Sequence, residues 1–217
     1  GVDFLNYHQD TFDVEGTAES NDLMGYSVAW GDFDNDGNVD AAIGVPGEMV
    51  NISEDAGAVN VIMGGSDGML DPENSQIWTQ ASLFIDGTVN SGDDFGRVLA
   101  VGDFDDDGRS DLAIGVPGDR VDGLSDAGSV NVIYGGNDGL GATGNQLWNQ
   151  NSPDIGGGSE AGDRFGSSLA VGDFNGDGVD DLAIGVYGEA IGSDGTAGAV
   201  NIIYGESGQG LVSSGNQ

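Results

Sequence analysis

The chain has no cysteine, one histidine, four prolines and only four basic residues, Arg97, Arg109, Arg120 and Arg164. Without cysteine there is no disulfide framework, no thiolate nucleophile and no zinc-thiolate site, and cysteine usage says nothing of the redox compartment. With so few cations the chain is unsuited to nucleic acid or to an anionic membrane, both of which are recognised largely through Lys and Arg. The four arginines are scattered and form no basic patch. No apolar run approaches the roughly 18 residues of a membrane helix, so direct membrane insertion is not expected, and no charged-then-apolar leader opens the chain. Beginning at Gly1 rather than Met, it reads as a processed or excised piece. The lone His8 has no recurring base or nucleophile near it and is expected as a solvated outer-strand residue.

What is abundant is glycine and acid. There are 42 Gly among 217 residues, and 38 Asp plus Glu give a formal net charge of −34. No G-X-Y period accompanies the glycine, which excludes collagen, and enough Val, Ile, Leu and Ala remain to build a core, which argues against disorder. Cationic partners are favoured by the charge.

Three copies of one unit follow one another. Gly31-Asp32-Phe33-Asp34, Gly102-Asp103-Phe104-Asp105 and Gly172-Asp173-Phe174-Asn175 recur at offsets of 71 and 70 residues. Upstream lie Met24-Gly25, Phe95-Gly96 and Phe165-Gly166; downstream lie Gly44-Val45-Pro46, Gly115-Val116-Pro117 and Gly185-Val186-Tyr187. The single domain divides into units 6–76, 77–146 and 147–217. Apolar runs such as Asp181-Leu182-Ala183-Ile184-Gly185-Val186 are short, rich in Val and Ile, and bounded by Gly, Asp and Asn, the pattern of strands rather than helices. A more polar stretch from Trp148 to Ile155 is expected as the outermost strand. Four antiparallel strands per unit of about 70 residues define a β-propeller blade, so the fold class is all-β.

Between the first and second strands every unit carries a nine-residue acidic loop. Oxygen side chains stand at positions 1, 3, 5 and 9: Asp32, Asp34, Asp36 and Asp40; Asp103, Asp105, Asp107 and Asp111; Asp173, Asn175, Asp177 and Asp181. Like charges at about 4 Å repel by about 1 kcal/mol in water and by more near protein, so the cluster calls for a cation. Gly at position 6 permits a tight bend that lets the carbonyl of position 7 join the shell. Position 7 is Asn38, Arg109 and Val179, side chains too varied to be ligands themselves, as expected if only their backbone carbonyls serve. The all-oxygen set suits Ca²⁺ better than Mg²⁺, giving three calcium sites. An EF-hand is excluded, because it needs Glu at position 12, where this chain has Ile43, Ile114 and Ile184.

These residues resemble the FG-GAP repeat of the integrin α-subunit propeller and of related bacterial surface proteins. Phe95-Gly96 and Phe165-Gly166 match the FG, Gly44-Val45-Pro46 and Gly115-Val116-Pro117 match the GAP with Val for Ala, and the acidic loop lies between them. Met24-Gly25 and Gly185-Val186-Tyr187 depart from the pattern. The resemblance implies a seven-bladed propeller with calcium loops on one face and partner-binding loops on the other, in an extracellular recognition or adhesion module. Three blades do not close a ring, so either further blades of a longer chain or self-association is expected to complete it.

Other residues have plainer readings. Tyr7, Trp78 and Trp148 recur at one unit position, that of blade packing, and Trp30 is expected in the core. Asp93, Asp94, Glu19 and Asp163 read as solvated loop acids. The variable segments 47–57, 118–128 and 188–198 are the best candidates for partner binding. The function expected is a calcium-stabilised extracellular binding module for protein or glycan partners, not an enzyme; an architectural subunit of a filament or coat, or a non-catalytic domain of a secreted enzyme, stays open. Three Ca²⁺ would leave about −28, so an acidic coat separate from the loops remains, as suits a saline medium.

Overall fold

The computed structural model describes residues 6–215. Among them twelve strands form three four-stranded antiparallel sheets, and none of these residues is helical. The first sheet runs β1 (Val28–Gly31), β2 (Asp40–Val45), β3 (Ala58–Gly64), β4 (Leu70–Trp78). The second runs β5 (Val98–Gly102), β6 (Asp111–Val116), β7 (Ser129–Gly136), β8 (Gly139–Trp148). The third runs β9 (Phe165–Gly172), β10 (Asp181–Val186), β11 (Ala199–Glu206), β12 (Gly210–Val212). In each the strands lie side by side in chain order, the meander of a propeller blade.

The fourth strand is not where the sequence placed it. It precedes the tryptophan rather than following it: β8 ends at Trp148, and residues 149–155 form turns. Their own side chains hold those turns. Asn149 N–H donates to Ser152 Oγ (3.0 Å) and Asn151 N–H to Asn149 Oδ1 (2.9 Å), local bonds that compete with a strand ladder. The unit cuts after Gln76 and Gln146 therefore pass through β4 and β8.

Period-2 alternation sends the two faces of a sheet to different cores. From the second sheet, Leu112, Ile114, Val116 and Ile133 pack toward the first, against Ala42, Val59 and Val61, with Phe33 and Phe95 between. Its opposite face, Ala113, Val130 and Val132, packs toward Leu182, Ile184 and Ile203 of the third, with Phe104 and Phe165 between. The strands β1, β5 and β9 lie beside one another, so they form the inner edge. Small residues on β2 and β6 let neighbours come close; a methyl group on Gly44 would overlap the Gly96 carbonyl, and one on Gly115 the Gly166 carbonyl.

Among the described residues the outward faces of the first and third sheets have no such neighbour. Phe174 is 48% and Val200 62% exposed, whereas their counterparts Phe33, Phe104, Val59 and Val130 are fully buried. Trp30, expected in the core, is 57% exposed. The register gives the reason: Ala29 stands opposite Ala42 and faces the core between the first two sheets, so Trp30, opposite Ala41, faces outward. Trp78 and Trp148 do pack against the two cores. His8 is exposed but lies outside any strand.

Candidate metal centre

The acidic loops join β1 to β2, β5 to β6 and β9 to β10, all at the same end of their sheets. Two of their nine positions are left-handed. Position 6 is Gly37, Gly108 and Gly178, with φ of 89°, 86° and 95°. Position 4 is Asn35, Asp106 and Gly176, with φ of 57°, 56° and 83°, and these are the residue types that adopt this region at least cost.

Backbone N–H groups organise the carboxylates. In the first loop the N–H groups of Asp36 and Gly37 donate to Asp32 Oδ1 and Oδ2 (3.1 and 3.0 Å), and Asp36 N–H also donates to Asp34 Oδ1 (3.1 Å). The second loop repeats this from Asp107 and Gly108 to Asp103 and Asp105, and the third from Asp177 and Gly178 to Asp173 and Asn175. As a result one carboxylate oxygen from each of Asp32, Asp34 and Asp40 lies within 4.8 Å of the others, and the same holds for Asp103, Asp105 and Asp111. In the third loop Asn175 takes the place of one acid.

Position 5 stands apart from these trios. Asp36 Oδ2 accepts from Asn38 Nδ2 (2.9 Å), Asp107 Oδ2 from Arg109 Nη1 (2.8 Å), and Asp177 Oδ2 from Asn175 Nδ2 (2.8 Å). At position 7, whose backbone carbonyl the sequence offers as a ligand, the Asn38 and Arg109 side chains bond within the loop, while Val179 is buried. Arg109 also donates to Asn137 Oδ1 on the β7–β8 hairpin.

Position 9 is buried and does structural work as well. Asp40 accepts from Phe33 N–H (2.8 Å) and Gly64 N–H (2.7 Å), Asp111 from Phe104 (2.8 Å) and Gly135 (2.9 Å), and Asp181 from Phe174 (2.7 Å) and Gly205 (2.9 Å). It ties the loop to the end of the third strand. Burial raises the Asp40 carboxyl and brings that of Asp111 to about 7; Asp34 and Asp105 are raised by burial too, with the charges of neighbouring loop acids adding. Among the described residues no cationic side chain pairs with Asp32, Asp34 or Asp40. An all-oxygen set whose carboxylates converge without a counter-charge fits a hard divalent cation such as Ca²⁺.

The variable segments lie at the opposite end of the sheets and are only partly free. Gly92, Asp94 and Phe95 N–H groups donate to the carbonyls of Glu54, Asp55 and Ala56 (2.9, 3.1 and 3.0 Å), and Gly162, Arg164 and Phe165 to those of Ser125, Asp126 and Ala127 (3.0, 3.0 and 2.9 Å). The second half of segments 47–57 and 118–128 is thus a seam to the next blade, which leaves tips such as Ile52 exposed.

Asp93 and Asp163, read from sequence as solvated, are buried. Each closes a turn: Asp93 Oδ2 accepts from Asn90 N–H and Asp163 Oδ2 from Glu160 N–H, both at 2.5 Å. Burial, with the Asp119 charge adding, raises the Asp93 carboxyl to about 7. Sequence reasoning also passed over Asn60, Asn131 and Asn201. Each donates from Nδ2 to a carbonyl of the segment entering its blade, at Glu15, Asp86 and Gly156 (2.7, 2.7 and 3.1 Å). Their signal was present: one polar residue recurring inside an apolar strand.

Three antiparallel blades in series, each with an oxygen-rich loop at the same end, define a segment of a β-propeller. The FG-GAP repeat model matches residues 24–62, 95–133 and 165–203, and the chain belongs to that family. It is 34% identical to integrin alpha-PS2 of Drosophila melanogaster over 183 residues, 80% of this chain and 11% of that protein. Identity to integrin alpha-IIb of Homo sapiens is 32% over 172 residues, 76% of this chain and 15% of that one. Phosphatidylinositol-glycan-specific phospholipase D of Mus musculus is 40% identical over 119 residues, 55% of this chain and 14% of that one. The chain therefore spans 11–15% of the length of these curated relatives. No helix among the described residues is long and apolar enough to cross a membrane.

Proposed function

We propose that the chain is a calcium-stabilised binding or adhesion module displayed outside the cell, with the tips of segments 47–57, 118–128 and 188–198 meeting protein or glycan partners. The convergence of Asp32, Asp34 and Asp40, and of Asp103, Asp105 and Asp111, carries the reading. Bound Ca²⁺ would supply charge neutralisation. The chain's own part is to hold the carboxylates together through the N–H groups of positions 5 and 6 and to fasten position 9 to the third strand. Extracellular-type sites bind at about 10⁻⁴ to 10⁻³ M, so millimolar Ca²⁺ adds roughly 0.5 to 1.5 kcal/mol per site. Melting temperature should rise with CaCl₂ and fall again on addition of EGTA. A curve indifferent to both would overturn the reading.

A second reading, a segment of a secreted enzyme, draws on the 40% identity to the phospholipase D. No nucleophile–base pair recurs in the units, which favours the first.

A further inference from the structure

Each loop touches the next at one fixed pair of positions. Asp32 N–H donates to the Ser110 hydroxyl (3.1 Å), and Ser110 N–H donates back to the Asp32 carbonyl (2.9 Å). One blade further on, Asp103 N–H donates to Asp180 Oδ2 (3.0 Å), and Asp180 N–H to the Asp103 carbonyl (3.3 Å). Asp32 and Asp103 hold position 1 of their loops; Ser110 and Asp180 hold position 8. Gly136 N–H to the Phe33 carbonyl (3.1 Å) and Gly208 N–H to the Asp105 carbonyl (2.6 Å) add a second stitch at each seam. The glycine ahead of each loop makes the approach feasible, since a methyl group on Gly31 would lie 2.7 Å from Ser110 Cβ and one on Gly102 3.2 Å from Asp180 Cβ. Where no loop precedes among the described residues, position 8 is Val39, exposed and without a side-chain acceptor.

Position 8 stands between the position 7 carbonyl and the position 9 carboxylate, so displacing it displaces both. We propose that Ser110 and Asp180 are positioning residues that couple the calcium loops in series. Filling one loop immobilises its position 1 backbone, which holds position 8 of the next loop and raises that loop's affinity. Ordering paid in the first loop need not be supplied again in the second, and this yields positive cooperativity without a change of fold. The proposal rests on the calcium reading above.

Titration calorimetry of the whole chelator-stripped chain with CaCl₂ alone, with melting temperature read in parallel, tests it. The unmodified chain should give a positively cooperative isotherm. Ser110→Ala with Asp180→Ala keeps every carboxylate of the three ligand sets; it should abolish the cooperativity and weaken the midpoint by about fivefold. Ser110→Asn with Asp180→Asn, which restores an acceptor, should recover both. A merely structural role would lower melting temperature and leave the shape of the isotherm unchanged, and that result overturns the coupling. So does an unmodified chain whose sites fill independently. Should the alanine pair not fold, Asp105→Asn with Asp107→Asn cripples the middle loop alone; weakened affinity at the two remaining loops supports coupling, and unchanged affinity overturns it. No calcium heat and no calcium-dependent melting in the unmodified chain overturn the calcium reading itself.

Discussion

Asp111 and Asp107 are both loop carboxylates, yet their surroundings make them unequal. Asp111 takes the N–H groups of Phe104 and Gly135 in a buried setting, so Asp111→Ala leaves two donors without acceptors. That should cost about 2 to 4 kcal/mol even in EGTA, measured by urea unfolding. Asp107→Ala removes an acid at the surface paired only within its loop and should stay within about 0.5 kcal/mol under the same conditions. Asp93 sets a pH dependence. Its carboxyl is raised from 3.8 to about 7 by burial, so the folded chain holds a proton that the unfolded chain has released. Its contribution is fully present below about pH 4 and is lost as pH rises toward 7, because deprotonation then charges a buried group. Metal-free protein should therefore melt lower at pH 8 than at pH 5.5, and Asp93→Asn should reduce that difference without abolishing it, because the buried Asp111 carboxyl is also raised to about 7.

At the level of strands and loops, glycines that look alike differ by what stands opposite. Gly44→Ala drives a methyl into the Gly96 carbonyl of the next blade, where backbone must move, and should destabilise by more than about 2 kcal/mol. At Gly185, its counterpart in the third blade, the atoms nearest an added methyl all belong to Ser168 on the adjacent strand, whose hydroxyl can rotate away, and Gly185→Ala should cost far less in the same unfolding assay. The inner three strands of each blade were legible because Val and Ile runs between Gly and Asp admit little else. The fourth was not: Gly139–Trp148 is so rich in Gly, Asn and Thr that it reads as a connector, and pairing with β7 is what makes it a strand. Loop positions 1, 3, 5 and 9 were legible as an acid pattern, but position 8 was not, since Ser110 and Asp180 acquire meaning only from the preceding blade's N–H. Likewise the burial of Asp93 arises from a turn that folds it inward, which no local composition announces.

Across the whole molecule the two internal seams show what the outward faces lack. Phe174, Val200 and Gly185 repeat part of the set that the second blade presents to the third, and among the described residues no blade packs against them, so Phe174 and Val200 form an exposed apolar surface that invites association. If copies associate through it, light scattering should give a mass above 21.9 kDa, and Val200→Glu should return the single-chain value. A single-chain mass for the unmodified protein at high concentration would instead assign that face to further blades of a longer chain.

The seams also have a direction. Each pairs carbonyls of one blade's 54–56 or 125–127 segment with N–H groups of the blade that follows, and position 1 of one loop with position 8 of the next. The two sides of a seam present different groups, position 1 and the 54–56 or 125–127 carbonyls on one and position 8 with the N–H groups that meet those carbonyls on the other, so they are not interchangeable. Two chains joined by this same contact can therefore meet only head to tail. Such an assembly obeys a cyclic or helical operator, and the rotation from one blade to the next decides whether it closes as a ring or grows as a filament.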